Sequence, residues 1–459
     1  HQQLDHLRFI NEETASFIDD QAKVIRSYSA PDQWITTNYR NTFDESFLGM
    51  STELDFVSYT RYMVYGGDLG IGPHGYRVGD YTRISFGNDF FRSIKGLYGV
   101  MELQPGQVNW GSINPQPLPG AVRLWLWHVF AGGSKFACTY RFRAPIYGYE
   151  QYHYGIVGPD GVTPTPGGRE YSQFIDEVNL LRKNYDPQKA ALPKEYLQRK
   201  TGILFNADNV MAINLNKQTK EWNTLEHFNK YYRALKSFGA PVDFVRDTTN
   251  FNEYPVLVIP AYQQIDKELI AKLTRYAVQG GNLILTCRTG HQDRQGHLWE
   301  APFAQPIYDL IGAEIKSYDL PMPQAQNLIN FQNNDYAWTS WGELLNPRPG
   351  TETWATYKGD FYEGTPAIIS RKLGKGTVTY IGADSKEGTL EKDVLSKLFN
   401  QQKIAVENYP AGVIVEHRDG FGIAVNYSDV PYEVKLKPTD KILIGEKTIK
   451  TAGVLVWKE

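Results

Sequence analysis

The sequence predicts an α/β chain in three parts: the C-terminal half of a (β/α)8 TIM barrel, a doubly wound α/β domain and a small all-β domain. Three observations predict it. Over residues 1–185, short strands that are apolar on both faces alternate with helices at roughly 30–40 residues per unit, the spacing of a (β/α) barrel. Over residues 201–402 the alternation continues with strongly periodic helices, one of them stopped by Gly280-Gly281. Residues 403–459 reduce to short alternating strands separated by Asp-Gly and Tyr-Ser-Asp turns, the pattern of a small β-sandwich.

In chain order, residues 1–29 read as a helix, with Leu4, Leu7, Ile10, Phe17, Ile18, Ala22, Ile25 and Tyr28 near a 3.6 spacing. Strands are expected at 34–38, 54–59, 97–103 and 136–142, with helices at 121–131 and 173–182. That makes about four strands where a closed barrel has eight, and half a barrel leaves two open parallel edges. The expectation is that the chain begins mid-barrel, with residues 34–38 at an unpaired edge or paired to a strand outside this numbering. Residues 186–200 form a charged, Pro-bearing linker. The next domain shows strands at 202–206, 242–245, 256–260, 282–287 and 377–382, and helices at 222–238 and 267–279. No internal repeat is visible.

The chain has 459 residues, too many for one core, so two to four domains are expected. Hydrophobic residues make up 41%, charged residues 22%, and the net charge is -3, which argues against disorder and against nucleic acid as a partner. The longest apolar runs, such as 256–261, are far too short to span a bilayer. Aromatics reach 14%, which suits stacking on sugar C–H faces, although large cores and subunit interfaces use the same residues. Cys138 and Cys287 are the only cysteines, so neither a disulfide framework nor a Cys-rich zinc site is supported within these residues. The first residue is His1 with no leader after it; a cytoplasmic protein is expected, with a periplasmic or secreted one left open.

The most informative stretch is Tyr98-Gly-Val-Met-Glu102-Leu-Gln-Pro-Gly-Gln-Val-Asn-Trp110-Gly. An apolar strand delivers Glu102 and Pro105-Gly106 turns the chain at once, so the carboxylate stands at a strand C-terminus, where barrels place catalytic groups. From the residues alone it is a nucleophile, a base or a solvated bystander. The segment resembles the nucleophile segment of glycoside hydrolase family 42, the β-galactosidases with two catalytic Glu. The flanks are similar too: Gln33-Trp-Ile-Thr-Thr-Asn38 to the family's fifth strand and Asp55-Phe-Val-Ser-Tyr-Thr-Arg-Tyr62 to its sixth. Ala121-Val-Arg-Leu-Trp-Leu-Trp-His-Val-Phe-Ala131 is similar to its seventh helix. Tyr140-Arg-Phe-Arg143 with Tyr149-Glu-Gln-Tyr-His153 is similar to its eighth strand and the sugar-binding loop after it.

The resemblance covers essentially the whole chain and implies a retaining, exo-acting β-galactosidase that hydrolyses terminal non-reducing β-D-galactosides. Glu102 matches the nucleophile, which forms a covalent galactosyl-enzyme. Trp110 matches the stacking platform for galactose, and Glu150 with His153 matches a pair that binds sugar hydroxyls. Tyr62 is a better match than Tyr59 to a tyrosine beside the nucleophile. Read without the resemblance, Trp110 fits a core aromatic and His153 a loop histidine. Arg141 and Arg143 are expected to pair with carboxylates of the barrel. The resemblance also implies a glutamine-amidotransferase-like oligomerisation domain at 201–402 and a homotrimer, for which Tyr336, Trp338 and Trp341 are the aromatic surplus outside the barrel.

One departure stands out. Retaining hydrolysis needs a second carboxyl about 5 Å from the nucleophile. The family carries it in an Asn-Glu pair after the fourth strand, ahead of residue 1 here, and neither Asn11-Glu12 nor Asn252-Glu253 follows a strand. Residues 1–459 by themselves are therefore expected to be inactive. No cofactor is required, and structural zinc stays undecided because the family's zinc cluster, where present, is also upstream. Two other readings remain. One is a non-catalytic carbohydrate-binding or assembly module. The other is an amidotransferase using Cys287, although Leu285 and Thr289 stand where a tight nucleophile elbow has glycine.

Overall fold

The computed structural model of the chain describes residues 2–40, 53–66, 70–322 and 324–459; the expected helix start at His1 lies outside them. It divides into two compact units. One contains His1–Thr14, Gln198–Lys236 and Ala240–Val406; the other contains Ala15–Leu197, Ser237–Gly239 and Glu407–Glu459.

Helix α1 runs over Gln2–Tyr28. Of its apolar positions Leu4 and Ala22 are buried, whereas Phe17, Ile25 and Tyr28 are exposed, so the apolar stripe is largely uncovered among the described residues. The second unit then builds a four-stranded parallel sheet in the order β1 (Asn38–Tyr39), β2 (Val57–Arg61), β3 (Tyr98–Leu103), β4 (Ala137–Thr139). Residues 34–37, expected as strand, precede the ladder; there the Ile35 and Thr37 carbonyls accept from the Asp55 and Ser58 N–H groups, and the Asp55 carboxylate accepts the Ile35 N–H at 2.6 Å. Arg26 also donates to Asp55 at 2.6 Å, and this bond holds the Asp55 carboxyl below the usual carboxylate range.

Short helix α2 (Gly75–Val78) and helix α3 (Arg83–Lys95) connect β2 to β3, and α4 (Ala121–Ala131) connects β3 to β4. Helix α5 (Pro166–Asn184) follows β4 and starts with Pro at N1; the Thr165 side chain accepts the Gly168 N–H. Within the expected linker, α6 (Lys194–Gln198) buries Tyr196, whose hydroxyl donates to Glu416 at 2.5 Å, so the connector is partly ordered structure.

The other unit carries one large mixed sheet. Its parallel part has the order β6 (Val242–Val245), β5 (Thr201–Leu204), β7 (Val256–Ile259), β8 (Asn282–Thr286), β14 (Gly376–Ile381). Helices α7 (Ala207–Leu215), α8 (Thr224–Ser237) and α9 (Lys267–Gln279) supply the crossovers, a doubly wound arrangement. The sequence reading lacked the antiparallel wing that widens this sheet. After the one-turn α10 (Tyr308–Ile311) it comprises β9 (Ala313–Asp319), β10 (Leu328–Phe331), β11 (Asn334–Pro347), β12 (Thr351–Lys358) and β13 (Pro366–Leu373). β15 (Ala383–Ser385) and α11 (Thr389–Gln401) close the domain. Trp338 and Trp341, offered as interface aromatics, are 2% and 3% exposed and belong to the interior instead.

The C-terminal part is all-β, with a sheet in the order β16 (Val413–Arg418), β17 (Phe421–Asn426), β21 (Gly453–Lys458), β19 (Lys441–Ile444), and a two-stranded ribbon of β18 (Tyr432–Glu433) and β20 (Thr448–Ile449). Asp419 and Gly420, at φ 54° and 79°, make the tight β16–β17 turn that Asp-Gly announces.

Candidate active site

Glu102 leaves β3 at its C-terminal end, paired in register with Thr60 of β2. Its Oε1 accepts from Asn38 Nδ2 at 3.0 Å and its Oε2 from the Tyr62 hydroxyl at 3.2 Å. Thr60 Oγ1 donates in turn to Asn38 Oδ1 at 3.0 Å, which directs the Asn38 amide N–H toward Glu102. Three adjacent parallel strands thus hold the carboxylate plane, with one donor on each oxygen. Burial and the neighbouring Glu102 charge push the Tyr62 hydroxyl far above the usual tyrosine range, so it stays a donor. Tyr59 is committed elsewhere: its hydroxyl donates to Asn88 at 2.7 Å and its ring stacks on Phe91.

Around Glu102 the rings interlock edge to face. The Tyr62 ring lies 4.9 Å from Trp110 and 6.1 Å from His153, and Tyr140 lies 5.5 Å from His153. Tyr65 backs Trp110 at 5.1 Å. His153 is buried; its Nδ1 meets the Tyr154 carbonyl at 2.8 Å, which makes Nδ1 the donor and leaves Nε2 with the lone pair. Nε2 is buried with no partner among the described residues, and burial lowers the imidazole pKa. Glu150 accepts from the Tyr140 hydroxyl at 2.8 Å and from the Arg141 guanidinium, both on Oε2. Arg141 therefore pairs with a carboxylate as expected, whereas Arg143 donates to the Pro159 carbonyl. The structure brings together all five residues singled out in the sequence: Glu102, Tyr62, Trp110, Glu150 and His153.

Sequence reasoning missed the residues that hold these in place. Asn38 and Thr60 are two. Gln104 is the third: fully buried, its Oε1 accepts from the Met63 and Val64 N–H groups at 2.8 Å each, and its Nε2 donates to the Val64 and Gly106 carbonyls at 2.9 Å each. It joins the turn after β2, which carries Tyr62, to the turn after β3. Asn109 does the same further out, donating to the Tyr149 carbonyl at 2.6 Å and so tying the Trp110 loop to the Glu150 loop. The available signal was a polar residue two places after Glu102, on the same side of an extended chain.

The Cys287 alternative finds no chemistry. Cys287 is buried, and burial pushes its thiol well above the usual range. The left-handed elbow residue is Arg288, at φ 66°, with its guanidinium 4.7 Å and 4.6 Å from the Trp222 and Trp341 rings. His291 is bonded to Glu343 and His227 to Asp384 and Thr286, so both imidazoles of this interior are engaged away from the thiol. Among the described residues no group of three or more His, Cys, Asp or Glu is placed to hold a metal, and no helix is long and apolar enough to cross a membrane.

Three models of one family match the chain in sequence order: β-galactosidase over residues 1–181, β-galactosidase trimerisation domain over 199–405 and β-galactosidase C-terminal domain over 412–459. The chain belongs to glycoside hydrolase family 42. A β-galactosidase of Haloferax lucentense is 28% identical over 97% of the chain, which spans 66% of that protein. A β-galactosidase of Halorubrum lacusprofundi is 26% identical over 93% of the chain, which spans 61% of it. The chain thus covers just under two thirds of these curated relatives. Among solved structures, the Halorubrum lacusprofundi β-galactosidase superposes with a TM-score of 0.88 at 25% identity, covering 99% of this chain and 68% of that one. A β-galactosidase from the psychrophilic Marinomonas ef1 gives 0.86 at 26% identity, with the same coverage. The expected fold is borne out: a TIM-barrel-like α/β part, a trimerisation domain of the family and a C-terminal all-β domain.

Proposed function

We propose that this chain carries the nucleophile and galactose-binding side of a retaining, exo-acting β-galactosidase. The observation that carries the proposal is Glu102 at a strand end, with a separate donor on each oxygen, facing a ring cluster that includes Trp110 and His153. Glu102 attacks the anomeric carbon and forms a galactosyl ester, which water then hydrolyses. Trp110 stacks on the sugar, His153 Nε2 accepts from one sugar hydroxyl, and the Glu150 oxygen turned away from Arg141 accepts from another. A buried acceptor that an epimer leaves unpaired discriminates strongly, so His153 with its buried Nε2, or the half-buried Glu150 beside it, reads galactose against glucose.

The acid/base carboxyl is proposed to lie ahead of residue 1. Glu150 is poorly suited to that role because its Oε2 is already taken up by the Tyr140 hydroxyl and the Arg141 guanidinium. The chemistry needs no cofactor. The trimerisation domain supports a homotrimer, and a terminal galactoside is the substrate partner.

The test uses the full-length protein with nitrophenyl β-galactoside, β-glucoside and α-arabinopyranoside. Galactoside hydrolysis far ahead of glucoside is expected, with slow turnover of the arabinopyranoside, which lacks only the exocyclic CH2OH. Equal rates on galactoside and glucoside would refute the substrate assignment, and a monomer mass in light scattering would refute the trimer.

A further inference from the structure

We propose that Asn38, oriented by Thr60, is a positioning residue for the second half of the reaction, donating to the carbonyl oxygen of the galactosyl ester and drawing the Glu102 carboxylate back out of it. This rests on Glu102 being the nucleophile. The two oxygens of Glu102 are held differently. Oε2 takes the hydroxyl of Tyr62, whose ring touches Trp110 and His153, so it stands on the side of the ring cluster. Oε1 takes the Asn38 amide from β1, and among the described residues no ring of that cluster is bonded to it. Oε2 is therefore the oxygen that meets the sugar.

The electron bookkeeping then assigns Asn38 its step. In the first half Oε2 bonds C1, the C1–O bond to the aglycone breaks, and the acid/base carboxyl gives the leaving oxygen its proton. Oε1 becomes the ester carbonyl, still facing Asn38 Nδ2. In the second half a water oxygen bonds C1, the water proton passes to the acid/base carboxylate, and the Oε2–C1 electron pair returns to Glu102. A carboxylate is a stronger acceptor than an ester carbonyl, so the Asn38 bond strengthens as the ester breaks and selectively lowers the second barrier. In the first half it stabilises the starting carboxylate as well, and its net effect there is small.

Thr60 is what makes this directional. An amide can present either end, and the Thr60 hydroxyl, donating to Oδ1 at 3.0 Å, turns the N–H end toward Glu102. Each contact comes from a neighbouring parallel strand, so the arrangement depends on sheet register and not on a loop.

The experiment is steady-state and burst kinetics of full-length Asn38→Ala on a dinitrophenyl β-galactoside, whose fast leaving group makes ester hydrolysis limiting. The expected result is a kcat lower by about 10- to 100-fold, the worth of a hydrogen bond to a charged group. KM should fall with it, kcat/KM should stay within a few-fold of wild type, and a burst of dinitrophenol should appear or grow. Thr60→Val, which preserves shape, should show the same coupled fall at smaller size, and Thr60→Ser should restore wild-type values. A kcat/KM that drops as much as kcat with KM unchanged, or a kcat within two-fold of wild type in Asn38→Ala, would overturn the proposal. Wild-type labelling of Glu102 by a 2-fluoro-galactoside separates the two failures: its absence sinks the nucleophile reading, its presence with uncoupled kinetics sinks only the role of Asn38.

Discussion

Replacing Gln104 by Leu probes how the site is held together. Leu fills most of the same volume but has no polar atom, so the four backbone groups that Gln104 serves lose their partner: two N–H groups of Met63 and Val64 and the carbonyls of Val64 and Gly106. Gln104 is 0% exposed, so water cannot simply replace the side chain. A buried backbone group left unpaired costs about 1–3 kcal/mol, and local relaxation recovers part of four such terms, giving a net loss of about 3–6 kcal/mol. The same change frees the turn that carries Tyr62 from the turn after Glu102, so turnover should fall even where the protein is fully folded. Urea titration followed by tryptophan fluorescence gives the stability, and hydrolysis of nitrophenyl β-galactoside at low denaturant gives the activity. A stability change below about 1 kcal/mol with unaltered turnover would show that Gln104 is not the clip the geometry describes.

Three further outcomes follow from the same geometry. Tyr62→Phe keeps the ring contacts to Trp110 and His153 but removes the hydroxyl at Glu102 Oε2; kcat should fall about 10- to 100-fold with the urea midpoint unchanged, and a kcat near wild type would remove Tyr62 from the site. Burial lowers the His153 pKa in the folded chain, so just below about pH 6.5 the unfolded chain binds more protons and stability falls as the pH drops through that window. His153→Asn should flatten the difference in urea midpoint between pH 5 and pH 7, and an unchanged difference would show that His153 does not contribute to it. Cys287, buried with its thiol pushed up, should resist iodoacetamide in the native protein and react on unfolding; rapid native labelling with ammonia release from glutamine would revive the amidotransferase reading.

The parts of this molecule that were legible in its sequence are those whose physics is local. Helix α4 over Ala121–Ala131 and helix α9 over Lys267–Gln279 match the expected limits, because an apolar periodicity ends at a glycine in each. β6 is as expected for a short buried strand. The antiparallel wing was missed because β11, fourteen residues long, is buried on both faces at its centre where it pairs with β15 and β9, which erases the two-residue alternation. The apolar spacing of α1 marks it as a helix, yet Phe17, Ile25 and Tyr28 are exposed, since a stripe specifies what a helix can bury and not whether it is covered.

At the site the division is similar. Glu102 stands out in the sequence as a carboxylate closing an apolar strand, but its role, like the choice of Tyr62, Trp110, Glu150 and His153, came from the resemblance. Asn38, Thr60 and Gln104 could not be read, because their significance lies in a register between strands distant in sequence: Thr60 opposite Glu102, and Asn38 within reach of both. The linker shows the same limit, as Tyr196 reads like a loop tyrosine until Glu416, 220 positions away, accepts its hydroxyl.

The central claim, that Glu102 is the nucleophile of a retaining galactosidase, is tested most directly by mechanism-based trapping. A dinitrophenyl 2-deoxy-2-fluoro-β-galactoside is incubated with the full-length protein, which is then digested and sequenced by mass spectrometry. The fluorine slows ester hydrolysis more than ester formation, so the intermediate accumulates. One fluorogalactosyl group per chain is expected, on the Glu102 side chain, and none in Glu102→Gln. A label on Glu150 or any other carboxylate, or labelling of Glu102→Gln to the wild-type extent, would contradict the claim.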